Sequence, residues 1–159
     1  MLPQLYNNDM FDVMGNIEPQ SIDLLLTDFP YGTLNKRNEW DVIIDYEKFW
    51  NHVDIICKPN AAIISTAQQP FTTKLISTNY PMFRYCWVWE KSKATGYLNS
   101  KKMPLKAHED IVVFYKKLCT YNPQKTAGVP YNKGTAVRDT DSYGKQTKAV
   151  HVKNEDGTR

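Results

Sequence analysis

Six residues, Thr27-Asp28-Phe29-Pro30-Tyr31-Gly32, place a carboxylate, a rigid turn and an aromatic ring within one short stretch. They close an apolar run, Ile22-Asp23-Leu24-Leu25-Leu26, which reads as a strand buried on both faces, as in a parallel sheet. Pro30 and Gly32 stop it. Ligands of open α/β sheets bind at the C-terminal ends of strands, so this stretch is a candidate ligand-binding site. A plain strand-ending turn with a packed tyrosine would use the same residues. Two further groups could do chemistry. His108-Glu109 has the composition of an acid–base pair. Lys91, Lys93, Lys101, Lys102 and Lys106 cluster in one polar stretch, where they either contact phosphates or face solvent. A metal-dependent nuclease would need Glu-x-Lys on a strand, and Glu90-Lys91-Ser92-Lys93 has the wrong spacing.

The elements that must position these residues are legible in outline. Phe49, Trp50, Val53, Ile56 and Cys57 recur every three or four residues, an amphipathic helix over 45–57 with Asp45 as its N-cap. Lys58-Pro59-Asn60 ends it, and 61–66 reads as a second short buried strand. A helix follows over 69–79 with Pro70 in its first turn. Strand, helix, strand, helix is the order of an α/β layered sheet with right-handed crossovers. Residues 82–90 and 109–117 are strand-like, and one tryptophan of Trp87 and Trp89 is expected in the core. Between them, 91–107 reads as a long polar loop of the kind that is usually functional. From Cys119 the composition turns to Gly, Pro, Thr, Asn, Lys and Asp, an irregular extended segment.

The 159 residues suit one ordinary domain, and 42% hydrophobic content argues against long-range disorder. Charge is lopsided: residues 1–80 carry net −5 and residues 81–159 net +8, an acidic half beside a polyanion-attracting one. No apolar run approaches a membrane span, and the N-terminus lacks the pattern of a secretory signal. Three scattered cysteines support neither a disulfide framework nor a zinc site. A reduced, cytoplasmic protein without a metal is expected.

With the strand before it, Asp28-Phe29-Pro30-Tyr31 resembles the D-P-P-Y motif of DNA amino-methyltransferases. Other blocks follow in the same order. Ile56-Cys57-Lys58-Pro59-Asn60-Ala61-Ala62-Ile63 is similar to that family's LKPGG passage, and Gln68-Gln69-Pro70-Phe71 to its following turn. Trp87-Val88-Trp89-Glu90-Lys91, then Lys102-Met103-Pro104-Leu105 with His108-Glu109-Asp110-Ile111-Val112-Val113-Phe114, resemble its W-x-K and P-x-x-x-H-E blocks. Leu5-Tyr6-Asn7-Asn8-Asp9 looks like the L-Y-x-G-D strand end that precedes the motif. The resemblance covers about residues 5 to 131 and points to phage- and prophage-type enzymes in the permuted, motif-first order.

The resemblance implies an α/β fold with a Rossmann-like methyltransferase sheet, S-adenosylmethionine as methyl donor and double-stranded DNA as partner. Adenine N6 is the expected target, with cytosine N4 or a non-catalytic DNA-binding remnant as alternatives. Asp28 and the backbone carbonyl of Phe29 would accept the hydrogens of the target amine, while Pro30 shapes the turn and Tyr31 stacks on the base. Asp28, with Asp9, would also border the cofactor. A capping role for Asp9 is the alternative. Phe29 departs from the family's proline, which removes a fixed φ and leaves the turn less preorganised. His108 and Glu109 become a strand-start element beside the pocket, and the five lysines DNA contacts. Residues 1–118 then form the catalytic part, and 119–159 begin a target-recognition or irregular segment.

The resemblance also implies an incomplete sheet. The seven glycines are all isolated, so no F-x-G-x-G cofactor turn exists, and no H-P-T-Q-K-P segment precedes it. The expectation is a catalytic half whose exposed sheet edge pairs with a complementary C-terminal half or with a second copy.

Overall fold

The computed structural model describes residues 3–33, 38–135 and 151–154. The chain divides into two compact units, Met1–Thr120 and Tyr121–Arg159. Of the second, residues 136–150 and 155–159 lie outside the described residues; within it β5 (Tyr131–Thr135) and β6 (His151–Asn154) pair antiparallel.

The first unit runs α1 (Met10–Met14), β1 (Ile22–Asp28), α2 (Tyr46–Ile56), β2 (Cys57–Ala67), α3 (Phe71–Thr78), β3 (Phe83–Thr95) and β4 (Lys106–Phe114). Its four strands form one mixed sheet in the order β1-β2-β4-β3. β1 and β2 are parallel, while β4 is antiparallel to both β2 and β3. A parallel pair needs a crossover, and α2 supplies it. Asp45 starts that helix by accepting the Lys48 amide at 3.0 Å. The apolar stripe of α2, Phe49, Trp50, Val53 and Ile56, is buried as the spacing predicts. Trp50 ties the layers together: its ring lies 5.1 Å from Phe114 of β4 and its indole donates to Thr78 of α3.

Four expectations change. β2 begins at Cys57, so Lys58-Pro59-Asn60 are strand residues. Pro59 is tolerated because the register with β1 is interrupted there, between Ile22↔Cys57 and Leu24↔Ala62. β1 is not buried on both faces: Leu24 and Leu26 are 55% and 70% exposed, so the face that carries them with Asp28 is left uncovered. They line an open groove of about 390 Å³ with Met14, Leu25 and Phe49. Neither Trp87 nor Trp89 enters the core: they are 45% and 48% exposed, so nothing among the described residues covers their face of β3. The 91–107 segment is shorter as a loop than expected: β3 continues to Thr95 and β4 starts at Lys106, which leaves 96–105 as the connection. A two-stranded ribbon satisfies backbone groups pairwise without any apolar periodicity. Among the described residues no helix is long and apolar enough to cross a membrane.

Tyr46, at the start of α2, packs edge-on to Phe29 with centroids 6.2 Å apart. Its buried hydroxyl has no hydrogen-bond partner among the described residues, and burial pushes its pKa from 10.0 up to about 12. The native state therefore holds this proton more tightly than the unfolded chain. The stability tied to it is present below about pH 10 and lost as pH rises toward 12. Tyr46→Phe is expected to gain about 1 kcal/mol at neutral pH. Urea titrations of both proteins from neutral to alkaline pH should show the variant losing less stability above pH 10.

Candidate active site

Asp28 is the last residue of β1, and the parallel register sets it beside Thr66 of β2. The same row continues through Ile111 of β4 to Trp87 of β3. Thr66 donates its hydroxyl to Asp28 Oδ1 in a short hydrogen bond. The Tyr31 hydroxyl lies 3.4 Å from both Asp28 Oδ1 and Thr66 Oγ1. Both contacts to the carboxylate fall on Oδ1. No described residue donates to Asp28 Oδ2, and the side chain is exposed. One oxygen is held and the other is open.

The turn after Asp28 is fixed at both ends. Phe29 points to the opposite side, 5% exposed, with its ring edge-on to Phe49 at 4.9 Å. This anchor replaces, by packing, the rigidity that a proline would give through its ring. No described residue donates to the Phe29 carbonyl. Pro30 is half-buried in the turn. Tyr31 stacks on Phe71, the first residue of α3, at 4.7 Å and 26°, so a flat ligand can stack only on its other face. Gly32 has φ +69°, and its amide donates to Asp41 Oδ1 at 2.9 Å. Asp41 is 2% exposed.

The surroundings are electrostatically coupled. Burial, first, holds the Tyr31 phenol above its ordinary pKa; the Thr66 hydrogen bond lowers it, and the Asp28 and Glu109 charges raise it. Glu109 pairs with Lys91, and Lys106 reaches Gln68 Oε1. Between them, Gln68, Leu105, Lys106, His108 and Glu109 line a groove of about 340 Å³. Asp110, which also lines it, accepts from Thr72 of α3 at Oδ2, 2.6 Å away. Among the described residues no three His, Cys, Asp or Glu side chains converge as metal ligands.

The sequence-expected residues thus fall into three places. Asp28, Phe29, Pro30 and Tyr31 form one constellation. Lys91 pairs with Glu109, and Lys106, though exposed, reaches Gln68, whereas Lys93, Lys101 and Lys102 are exposed and make no ion pair among the described residues. Asp9 caps α1, accepting the Phe11 amide at 2.8 Å. Sequence reasoning did not find Thr66, Phe71 or Asp41. Thr66 carries a faint signal, a hydroxyl at the end of the next parallel strand; Asp41 carries none, since its role depends on where the turn folds back.

No protein-family model and no curated protein matches this chain. Solved structures do. The M1.HpyAVI–SAM complex superposes with a TM-score of 0.52 at 16% identity, over 76% of this chain and 61% of that one. The cytosine-N4-specific PvuII DNA methyltransferase does so with a TM-score of 0.50 at 14% identity, over 76% of this chain and 50% of that one. The chain therefore has the mixed α/β, Rossmann-like fold of these methyltransferase structures and spans about half to three-fifths of their length.

Two outcomes test the site geometry. A Cβ on Gly32 would meet Ile43 Cγ1 at 2.7 Å in a left-handed backbone, so Gly32→Ala is expected to cost about 1–2 kcal/mol in urea unfolding. In NMR titrations with labelled tyrosine, Asp28→Asn should lower the Tyr31 pKa and Thr66→Val should raise it, following the causes that set it.

Proposed function

We propose that this chain is the catalytic part of a DNA methyltransferase that moves a methyl group from S-adenosylmethionine to adenine N6 of duplex DNA. The observation that carries the reading is Asp28: its Oδ1 is held by Thr66 while Oδ2 stays open, beside the Tyr31 ring. The fold shared with the M1.HpyAVI–SAM complex and the PvuII DNA methyltransferase supports it.

An exocyclic amine is a poor nucleophile because its lone pair is delocalised into the ring. Asp28 Oδ2, a charged acceptor, and the Phe29 carbonyl would take its two hydrogens. The nitrogen then becomes pyramidal, with its lone pair directed away from the ring. Pro30 shapes the turn that brings the two acceptors together. Tyr31 would hold the extruded base by stacking on the face that Phe71 leaves. Positioning and fixed charge supply most of such catalysis.

S-adenosylmethionine, when bound, supplies an electrophilic methyl on a sulfonium leaving group. The described residues do not by themselves fit this cofactor. No glycine-rich turn among the described residues offers it backbone amides, and the Gly32 amide of the active-site turn is already given to Asp41. Asp9 remains a proposed neighbour of the cofactor, with its α1 cap as a structural role. The open edge of β1, with Leu24 and Leu26 exposed, supports pairing with a strand of a cofactor-binding half carried on a complementary segment or second polypeptide. Cytosine N4 is the second reading, favoured by the PvuII likeness. The residues from 119 onward would begin target recognition, in a phage- or prophage-type enzyme acting in the cytoplasm.

The test is methyl transfer from labelled cofactor to mixed-sequence duplex DNA. The 159-residue chain alone should give no turnover and no micromolar cofactor binding by calorimetry. Co-expressed with a polypeptide carrying the F-x-G-x-G half, it should yield N6-methyladenine, and Asp28→Ala should cut the rate at least about 100-fold. N4-methylcytosine as product would select the second reading. Duplex binding without methylation in any such pairing would leave only a DNA-binding remnant.

A further inference from the structure

β4 runs antiparallel to β2, with Thr66↔Ile111 and Ala67↔Asp110 as their last pairs at this end. The residues of β4 before Asp110 therefore project past the end of the sheet that holds Asp28. β3 goes with them: Trp89↔Glu109, Glu90↔His108 and Thr95↔Lys106 pair beyond the reach of β2. The hairpin extends by about 13 Å of strand before its tip. The tip is a set of tight turns rather than a slack loop. Gly96 adopts φ +91°, and the amides of Asn99, Ser100, Lys102 and Met103 all bond to tip carbonyls at 2.8–3.0 Å.

What this ordered tip presents is unusual for a solvated turn. Tyr97 is 79% exposed and Leu98 96%, with Met103 and Leu105 half-exposed behind them. Contiguous exposed apolar side chains rimmed by polar ones mark an interaction site. The rim is of one sign: residues 91–106 contain five lysines and no acidic residue. Lys91 and Lys106 are engaged at the base of the hairpin, by Glu109 and Gln68, leaving Lys93, Lys101 and Lys102 around the tip. A polyanion with apolar surface between its charges matches this arrangement, and duplex DNA is such a ligand. Its phosphates suit the lysines, and its base stack accepts apolar wedges at a few kcal/mol per unstacked step.

We propose that the β3–β4 hairpin tip is a DNA-unstacking wedge: Tyr97 and Leu98 enter between base pairs while Lys93, Lys101 and Lys102 hold the flanking phosphates. The inference rests on the DNA-directed reading of the site and extends it to how a base leaves the stack. The wedge projects from the same end of the sheet as Asp28 and Tyr31, so it opens the duplex beside the pocket that would receive the base.

The experiment uses the full chain and a duplex containing 2-aminopurine, read by anisotropy for binding and by fluorescence for unstacking. Wild-type protein at saturation should raise the 2-aminopurine signal several-fold. Tyr97→Ala/Leu98→Ala should bind within about threefold of wild type yet lose most of that rise. Lys101→Ala/Lys102→Ala should weaken binding, lower the salt slope by about 2, and keep the rise at saturation. Thermal melts confirm that both variants fold. An undiminished rise in Tyr97→Ala/Leu98→Ala overturns the wedge while leaving DNA binding intact. No duplex binding by wild type overturns both the wedge and the DNA reading. Self-association lost in Tyr97→Ala/Leu98→Ala, without unstacking by wild type, assigns the tip to a second copy and overturns the wedge.

Discussion

The parallel pairing of β1 with β2 in one register is the constraint from which the site follows. Because side chains alternate along a strand, Asp28 and Thr66 meet only when their positions are paired, and a slip of one residue would turn the carboxylate to the other face. The crossover enforces that register. Gln20 and Ser21, just before β1, donate their amides to Ile55 and Ile56 at the end of α2, so the helix and both strands are locked at one end. At the other end the chain must turn at once, and Phe29 is driven into the core against Phe49 while Asp28 stays outside. The geometry of the candidate site is thus a by-product of burying one ring.

Around that centre, charge and exposure divide by position in the sheet. The edge strand β1 leaves Leu24 and Leu26 uncovered, an apolar edge that is a pairing site by its backbone groups alone. The other edge strand, β3, runs off the sheet into a ribbon whose tip carries Tyr97 and Leu98 among lysines. The four-stranded region is closed and packed, and both of its flanks are open. The excess of positive charge after residue 80 acquires a location here: part of it neutralises Glu109 inside the groove, and part surrounds the tip.

Much of this could be read from the sequence because it depends on local periodicity. Asp45 and the Phe49-Trp50-Val53-Ile56 spacing specify α2 and its buried face, and Pro30 and Gly32 specify where β1 must stop. The apolar runs of β1 and β2 were visible, but their lateral neighbours were not. Burial on both faces was expected of Leu24 and Leu26, yet burial requires something to lie against them, and strand order is not a local property. The same holds for Trp87 and Trp89, whose pattern is that of a half-buried strand and whose exposure shows that nothing among the described residues lies against their face of β3. The β3–β4 hairpin beyond Lys91 left no periodic trace because its side chains are exposed.

By itself, the sequence determined which residues end β1, which face of α2 is buried, and that a carboxylate and an aromatic ring sit together at a strand end. Each of these is set by interactions within about four residues. Only the tertiary structure decided that Thr66 holds one oxygen of Asp28 and leaves the other open, that Phe71 covers one face of Tyr31, and that Asp41 takes the Gly32 amide. It also decided which lysines are engaged by Glu109 and Gln68 and which remain at the tip. These contacts join residues 9 to 40 positions apart, and such pairs meet only after strand register and crossover geometry have been chosen by the packing of the whole core.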